Sequence, residues 1–193
     1  MKKIISLLII LVSVCYTAYS QEENGNNEIN NNSTMKKRIL ITYFSATGTT
    51  KRAAERIAGI TGGDVHEIVP QQIYTDADLN WHNRQSRSSL EMNDETSRPA
   101  IKDNNSNISD YDVILIGFPI WWNLPPRIIN TFIESHDLKG KNIALFATSG
   151  GSSITNSVSQ MKKDYPSLDW KEGLLVNNIN EKSINSWIEK VSK

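Results

Sequence analysis

A single cysteine, Cys15, is all the thiol chemistry in these 193 residues, so no intrachain disulfide can form. Histidine is nearly as scarce: His66, His82 and His136 stand far apart, without the close spacing of a metal-ligand set. No excess of either charge exists. Twenty-one basic residues balance twenty-one acidic ones, and no basic stripe marks a nucleic-acid binder. No apolar run reaches the roughly 20 residues needed to span a bilayer as a helix. Neither Gly-Lys-Ser/Thr nor Gly-x-Gly-x-x-Gly occurs, which excludes a triphosphate loop with its lysine and a dinucleotide-binding fingerprint. No histidine is placed to serve Ser152 or Ser153, so a hydrolase triad has no support.

What the chain does have begins at its amino end. Met1-Lys2-Lys3, an apolar stretch from Ile4 to Val14, and Ala18-Tyr19-Ser20 form the three parts of a secretory signal. Residues 1–20 are therefore expected to be a leader cleaved after Ser20, exporting the protein to the periplasm. Two alternatives stay open. Met35-Lys36-Lys37 would serve as a cytoplasmic start, and Cys15 could anchor a lipid, although Val14 is bulkier than the small residue such signals carry. Cleavage leaves no thiol, no membrane span, and two more acids than bases once Lys2 and Lys3 are gone. Residues 21–35 are dominated by Asn, Glu, Gln and Ser and are expected to form a tether. Residues 36–193 have the length of one domain.

Within that domain β-branched apolar runs alternate with helical patterns. Strands are expected at Ile39 to Phe44, Asp64 to Val69, Tyr111 to Phe118, Asn142 to Thr148 and Glu172 to Val176. Helices are expected at Thr49 to Ile60, Asn83 to Met92, Pro125 to Glu134, Ile154 to Lys163 and Glu181 to Val191. Such alternation implies right-handed crossovers and an α/β, three-layer αβα fold. Its core would be a doubly wound five-stranded parallel sheet in the order 2-1-3-4-5. The stretch from Pro70 to Asp110 is longer than an ordinary connection and carries Tyr74, Leu79, Trp81, Leu90 and Met92; its flanks are expected to fold against the sheet, with the aromatics packing under the loop in preference to touching a ligand. Glu91 and Asp94, three apart on a helix, are expected to form a solvated face.

Three loops at the carboxyl edge of this sheet carry the chemistry. Ser45, Thr47, Gly48, Thr49 and Thr50 lie between a strand and a helix, where amides, hydroxyls and the helix dipole suit a single terminal phosphate. Ordinary helix capping would use some of the same residues. Pro119, Ile120, Trp121, Trp122 and Asn123 follow the central strand. Neighbours in extended chain point opposite ways, so one tryptophan can pack inward while the other forms a flat wall for a ring system. Thr148, Ser149, Gly150, Gly151 and Ser152 follow the fourth strand, where paired glycines admit a planar ligand and amides can reach ring carbonyls.

From about Arg38 to Lys190 the chain resembles the flavodoxin family. Tyr43 to Thr50, Pro119 to Trp122, Thr131 to Glu134 and Thr148 to Ser152 match motifs of an exported bacterial subgroup, joined by Tyr74, Asp78, Arg87, Glu91, Asp94, Arg98 and Pro99. The resemblance implies FMN. Its phosphate would sit on Ser45, Thr47, Gly48, Thr49 and Thr50, with the ring between the Trp121-Trp122 loop and the Thr148 to Ser152 loop. It also implies a loop peptide that turns over on reduction so that its carbonyl faces flavin N5.

Two departures follow from this resemblance. Asn123 stands where the subgroup has glycine, and Asn is the best substitute at positive φ. The nearly neutral charge departs from strongly acidic electron carriers, which weakens electrostatic docking on a basic partner. The expected function is flavin-mediated electron transfer to a redox partner protein or a small-molecule acceptor, as monomer or homodimer. An NAD(P)H-dependent quinone or nitro-compound reductase is the alternative, and a cofactor-free binding module a further one. Electron transfer through the flavin needs no side chain as acid or base, and the residues identify no metal site.

Overall fold

Five consecutive buried residues, Ile39–Tyr43, form the first strand β1, and helix α1 (Thr49–Thr61) leaves it through the Ser45 to Gly48 turn. The computed structural model describes residues 37–102 and 107–193; the expected leader 1–20 and tether 21–35 lie outside the described residues. Helix α1 stops where expected. Gly62 takes φ 70° and donates its N–H to the Ala58 carbonyl at 2.8 Å, a conformation that costs a residue without Cβ little.

The chain continues through β2 (Asp64–Glu67), α2 (Arg87–Asn93), a 3-10 turn (Ile108–Asp110) and β3 (Val113–Pro119). It then forms α3 (Ile128–Glu134), β4 (Asn142–Thr148) and α4 (Thr155–Asp164), and ends with β5 (Asp169–Trp170), β6 (Leu174–Leu175) and α5 (Glu181–Val191). All strand pairs are parallel, in the order β2-β1-β3-β4-β5, with β6 also on β4. This is the doubly wound order expected. Strand alternation builds two cores. Ile41, Leu115 and Phe146 face Ala54, Ile57, Ile184 and Trp187 of α1 and α5; Leu40, Ile114 and Leu145 face Phe132 and Met161 of α3 and α4.

Helix α3 begins at Ile128, three residues after the expected Pro125, and three further departures have a local reason. The fifth strand, expected unbroken at Glu172 to Val176, is two short pieces on the same edge, joined to β4 by Lys171 N–H to Ile143 O and Val176 N–H to Ala147 O. Between them the Glu172 carbonyl accepts the Trp187 indole N–H at 2.7 Å, which takes it out of the ladder. Helix α2 begins four residues late, because the Asn83 side chain accepts from Gln85 N–H in a turn and Ser86 becomes the cap. In the long segment Tyr74 and Met92 are buried, but Trp81 and Leu90 are exposed. Trp81 sits among tight turns that bond to themselves and, among the described residues, stacks on His82 alone. Among the described residues no helix is long and apolar enough to cross a membrane.

Gly117 faces Phe146 across the β3–β4 register, and a Cβ there would lie 2.1 Å from the ring. Gly117→Ala should therefore destabilise the protein by about 1–3 kcal/mol, since a fully packed ring has nowhere to move. Denaturant unfolding checks this: the loss should shrink in Gly117→Ala combined with Phe146→Leu, and an equal loss in both backgrounds refutes the packing account.

Candidate functional site

The three loops singled out from sequence leave the carboxyl ends of β1, β3 and β4, which are adjacent in the sheet. From β1 the chain runs outward to β2, and from β3 it runs the other way to β4. The loops therefore meet at the topological switch point, where ligands of such sheets bind.

In the first loop Gly48 takes φ 81° and no side chain caps α1. The first helical bond runs from Arg52 N–H to Gly48 O, so the amides of Thr49, Thr50 and Lys51 have no partner within the helix. The Ser45 hydroxyl is buried and has no hydrogen-bond partner among the described residues. Thr47 and Thr49 are exposed at the rim. Thr50 points elsewhere. It is 1% exposed, and its hydroxyl lies 2.8 Å from that of Thr148, so this side chain joins two loops where a phosphate contact was expected. Its backbone amide still belongs to the open helix end.

The second loop is a two-residue turn. Trp121 N–H donates to Leu124 O at 3.0 Å and Leu124 N–H to Trp121 O at 2.9 Å, closing a turn whose central residues are Trp122 and Asn123. Both have positive φ, 46° and 64°. Asn123 tolerates this, as its substitution for glycine implied, but a bulky residue such as Trp122 pays about 1–3 kcal/mol for it. The two tryptophans divide between inside and outside, but through the turn's left-handed backbone and not through the alternation of extended chain. Trp121 packs edge-on against Phe44 and Tyr74, with centroids 5.7 and 5.4 Å away, while Trp122 is 47% exposed. Ser157, fully buried on α4, donates its hydroxyl to the Asn123 carbonyl at 3.2 Å.

In the third loop the Ser149 hydroxyl accepts from the N–H groups of Gly151 (3.1 Å) and Ser152 (2.7 Å). Asn177 clamps Ser149 from the far side: its Oδ1 accepts from Ser149 N–H at 2.9 Å and its Nδ2 donates to the Ser149 carbonyl. Among the described residues the Gly150 N–H is left without a partner. The loop is thus braced by its own serine and by Asn177, and one of the four amides from Ser149 to Ser152 remains open.

The residues that tie these loops together were named from sequence, but their bonds to one another were not. Thr148 bonds Thr50 through its side chain and accepts Ile120 N–H at 2.9 Å through its carbonyl. Tyr74 supports Trp121 from beneath and donates its hydroxyl to Glu91 at 2.5 Å, while Arg87 lies over its ring and binds Glu91 at 2.6 Å. Burial, reinforced by Glu91, pushes the Tyr74 phenol well above its ordinary range. Glu91 is accordingly part of a half-buried network and not the solvated face expected of it. Arg52 was overlooked: its guanidinium reaches back to the Thr49 hydroxyl at 3.3 Å. The long-range pairs among these leave no local signature, whereas Arg52–Thr49 and Arg87–Glu91 lie at helical spacing and could have been read.

Elsewhere, a polar cavity of about 260 Å³ is lined by Arg98, Arg127, Asn130, Glu134, Gln160 and Tyr165. It touches none of the three loops, and its Arg98 closes on Glu134 with two bonds of 2.8 and 2.9 Å. No group of three potential metal ligands occurs among the described residues. His136 is held by the Phe132 carbonyl at 2.7 Å, and His66 lies beside the Phe132 ring.

The Thr50–Thr148 bond yields a double-mutant test. Thr50→Val or Thr148→Val alone should cost about 1–2 kcal/mol, because each strands a buried hydroxyl. The double substitution should cost clearly less than the sum. Thermal unfolding of the three variants decides this, and strictly additive losses would remove the bond as a link between the loops.

The comparisons with known proteins agree with this geometry. A family model described as flavodoxin matches residues 38–191. A candidate flavoprotein of Bacteroides eggerthii is 58% identical, with a TM-score of 0.79 over 81% of this chain and 99% of its own. One from Bacteroides uniformis is 51% identical, with a TM-score of 0.76 over 80% and 99%. A flavoprotein of Lactobacillus acidophilus, solved in complex with FMN, is 27% identical, with a TM-score of 0.63 over 78% and 98%. No curated protein matches significantly. Matched over most of its length by this model and by these structures, and carrying its three loops at the switch point, the chain belongs to the flavodoxin family.

Proposed function

We propose that this chain, exported through its N-terminal leader, binds FMN and carries electrons between a donor and either a partner protein or a small-molecule acceptor. One observation carries the reading: a buried Ser45 hydroxyl without a partner among the described residues sits at an uncapped helix N-terminus, one loop away from the exposed Trp122. FMN offers a phosphate to the first feature and a planar ring to the second. The residues present therefore fit the group, and the FMN complex of the Lactobacillus acidophilus relative supports the same choice. The leader reading rests on the charged start, short apolar core and small residues at 1–20.

When bound, FMN supplies the electron-accepting ring; the protein binds, orients and tunes it. Ser45, Thr47, Thr49 and the amides from Gly48 to Thr50 would hold the phosphate. Trp122 would cover one side of the ring, and the Gly150 amide is the open donor of the third loop. None of the loop residues 45–50, 119–123 or 148–152 is a histidine or a carboxylate, so no side chain here supplies an acid or base. Electron carriage needs none, and neither does hydride transfer from a nicotinamide, so room for a second substrate is what separates the two. A reductase would need room for a second substrate beside Trp121, where Tyr74 and Phe44 already pack.

Visible spectra of the FMN-loaded chain during stepwise anaerobic reduction separate the readings. A carrier should show a long-wavelength band that rises and then falls as electrons enter one at a time. Direct bleaching would favour the two-electron reductase, and no retained flavin would leave only the binding module.

Ser157 bears on the potential. If the Asn123 carbonyl must leave this hydroxyl to serve the reduced ring, Ser157→Ala should raise the first reduction potential. A bond of about 1 kcal/mol corresponds to about 40 mV in a one-electron step. Spectroelectrochemistry reads this directly, and an unchanged potential separates Ser157 from the flavin.

A further inference from the structure

Helix α1 breaks two rules of its own stability. Its first turn has no acidic residue and no side-chain cap, yet Lys51 and Arg52 place two cations against the positive end of its dipole. The two cations then separate. Lys51 turns toward Glu67, 3.6 Å away, and forms an ordinary ion pair. Arg52 has no carboxylate within ion-pair distance among the described residues. Side chains in a helix lean toward its N-terminus, which takes Arg52 back over the turn that precedes it. There Nη2 donates to the Thr49 hydroxyl at 3.3 Å, and Nη1 lies 3.5 Å from the position a Cβ of Gly48 would occupy. A guanidinium thus hangs over the same turn that holds the orphan Ser45 hydroxyl and the unpaired amides.

We infer that Arg52 is a phosphate-binding residue of the flavin site, and that through it the chain selects a phosphorylated flavin over riboflavin by charge. The inference rests on the FMN reading and adds to it a cation that the Ser/Thr motif does not contain. A phosphate dianion in the first loop relieves the mismatch between Arg52 and the helix dipole. Its oxygens suit the planar fork of an arginine better than a point charge. Because Arg52 is exposed, the attraction weakens as salt rises.

Titration of the full-length apoprotein with FMN and with riboflavin, followed by flavin fluorescence, tests this for the wild type, Arg52→Gln and Arg52→Lys. Arg52→Gln should weaken FMN by about tenfold at low salt, in the range of a charged hydrogen bond, and leave riboflavin affinity unchanged. Arg52→Lys should fall between, and the wild type should lose FMN affinity with salt more steeply than Arg52→Gln. Equal FMN affinity in wild type and Arg52→Gln, or equal losses for the two flavins, overturns the role of Arg52 while leaving the flavin site intact. Failure of the wild type to bind either flavin overturns both.

Discussion

Thr148 is the point at which the site is held together. As the last residue of β4 it has its backbone fixed by the central ladder opposite Pro119, and it then serves both other loops. Its hydroxyl meets Thr50 at the start of α1, and its carbonyl takes the Ile120 amide at the start of the tryptophan turn. Three separate loops, each free to move, would bind a ligand only after their freedom was lost. Linked through one buried residue, they are ordered as a consequence of folding the sheet.

The tryptophan turn shows how that rigidity is used. Trp122 sits in a backbone region that bulky residues avoid, and such strain persists only where the surroundings over-determine it. Here the surroundings are identifiable. Two cross-turn hydrogen bonds close the turn, Ser157 holds the Asn123 carbonyl, and Phe44 and Tyr74 trap the Trp121 ring beneath. The long Pro70 to Asp110 segment contributes through Tyr74, which Arg87 and Glu91 hold in place. Its function is therefore that of a buttress to the wall more than a lid above it.

Much of this was legible because it is local. Strand runs, the α1 stripe ended by Gly62, and the hydroxyl-rich turn before Thr49 all follow from neighbours in sequence. Asn123 at positive φ was legible too, as the one residue that substitutes for glycine without much cost. What could not be read were bonds between distant residues. Thr50 and Thr148 are 98 positions apart, and a threonine after a strand looks the same whether it meets a ligand or another threonine. Trp187 breaks the last strand by capturing a carbonyl 15 positions away, which no strand propensity reveals. Glu91 read as solvated because helical spacing reports the neighbours on its own helix, and Tyr74 lies 17 positions back.

Uncapped helices and buried polar atoms without a partner among the described residues also occur at α3, α4, Thr42 and Thr131, but four departures coincide at the loops. A helix without a cap, a cation in its first turn, a buried hydroxyl lacking a partner and a tryptophan at positive φ all fall within or beside two of the three loops. Each is unfavourable for the chain alone, and natural sequences carry such conflicts mainly where another requirement overrides stability. Three of the four have the same remedy. An anion at the turn would cap the amides, satisfy Ser45 and neutralise Arg52 at once. The fourth presents a flat ring face from the neighbouring loop. Because these separate costs converge on a phosphate beside a planar ring, the pattern is better explained by a ligand with both parts than by four independent defects.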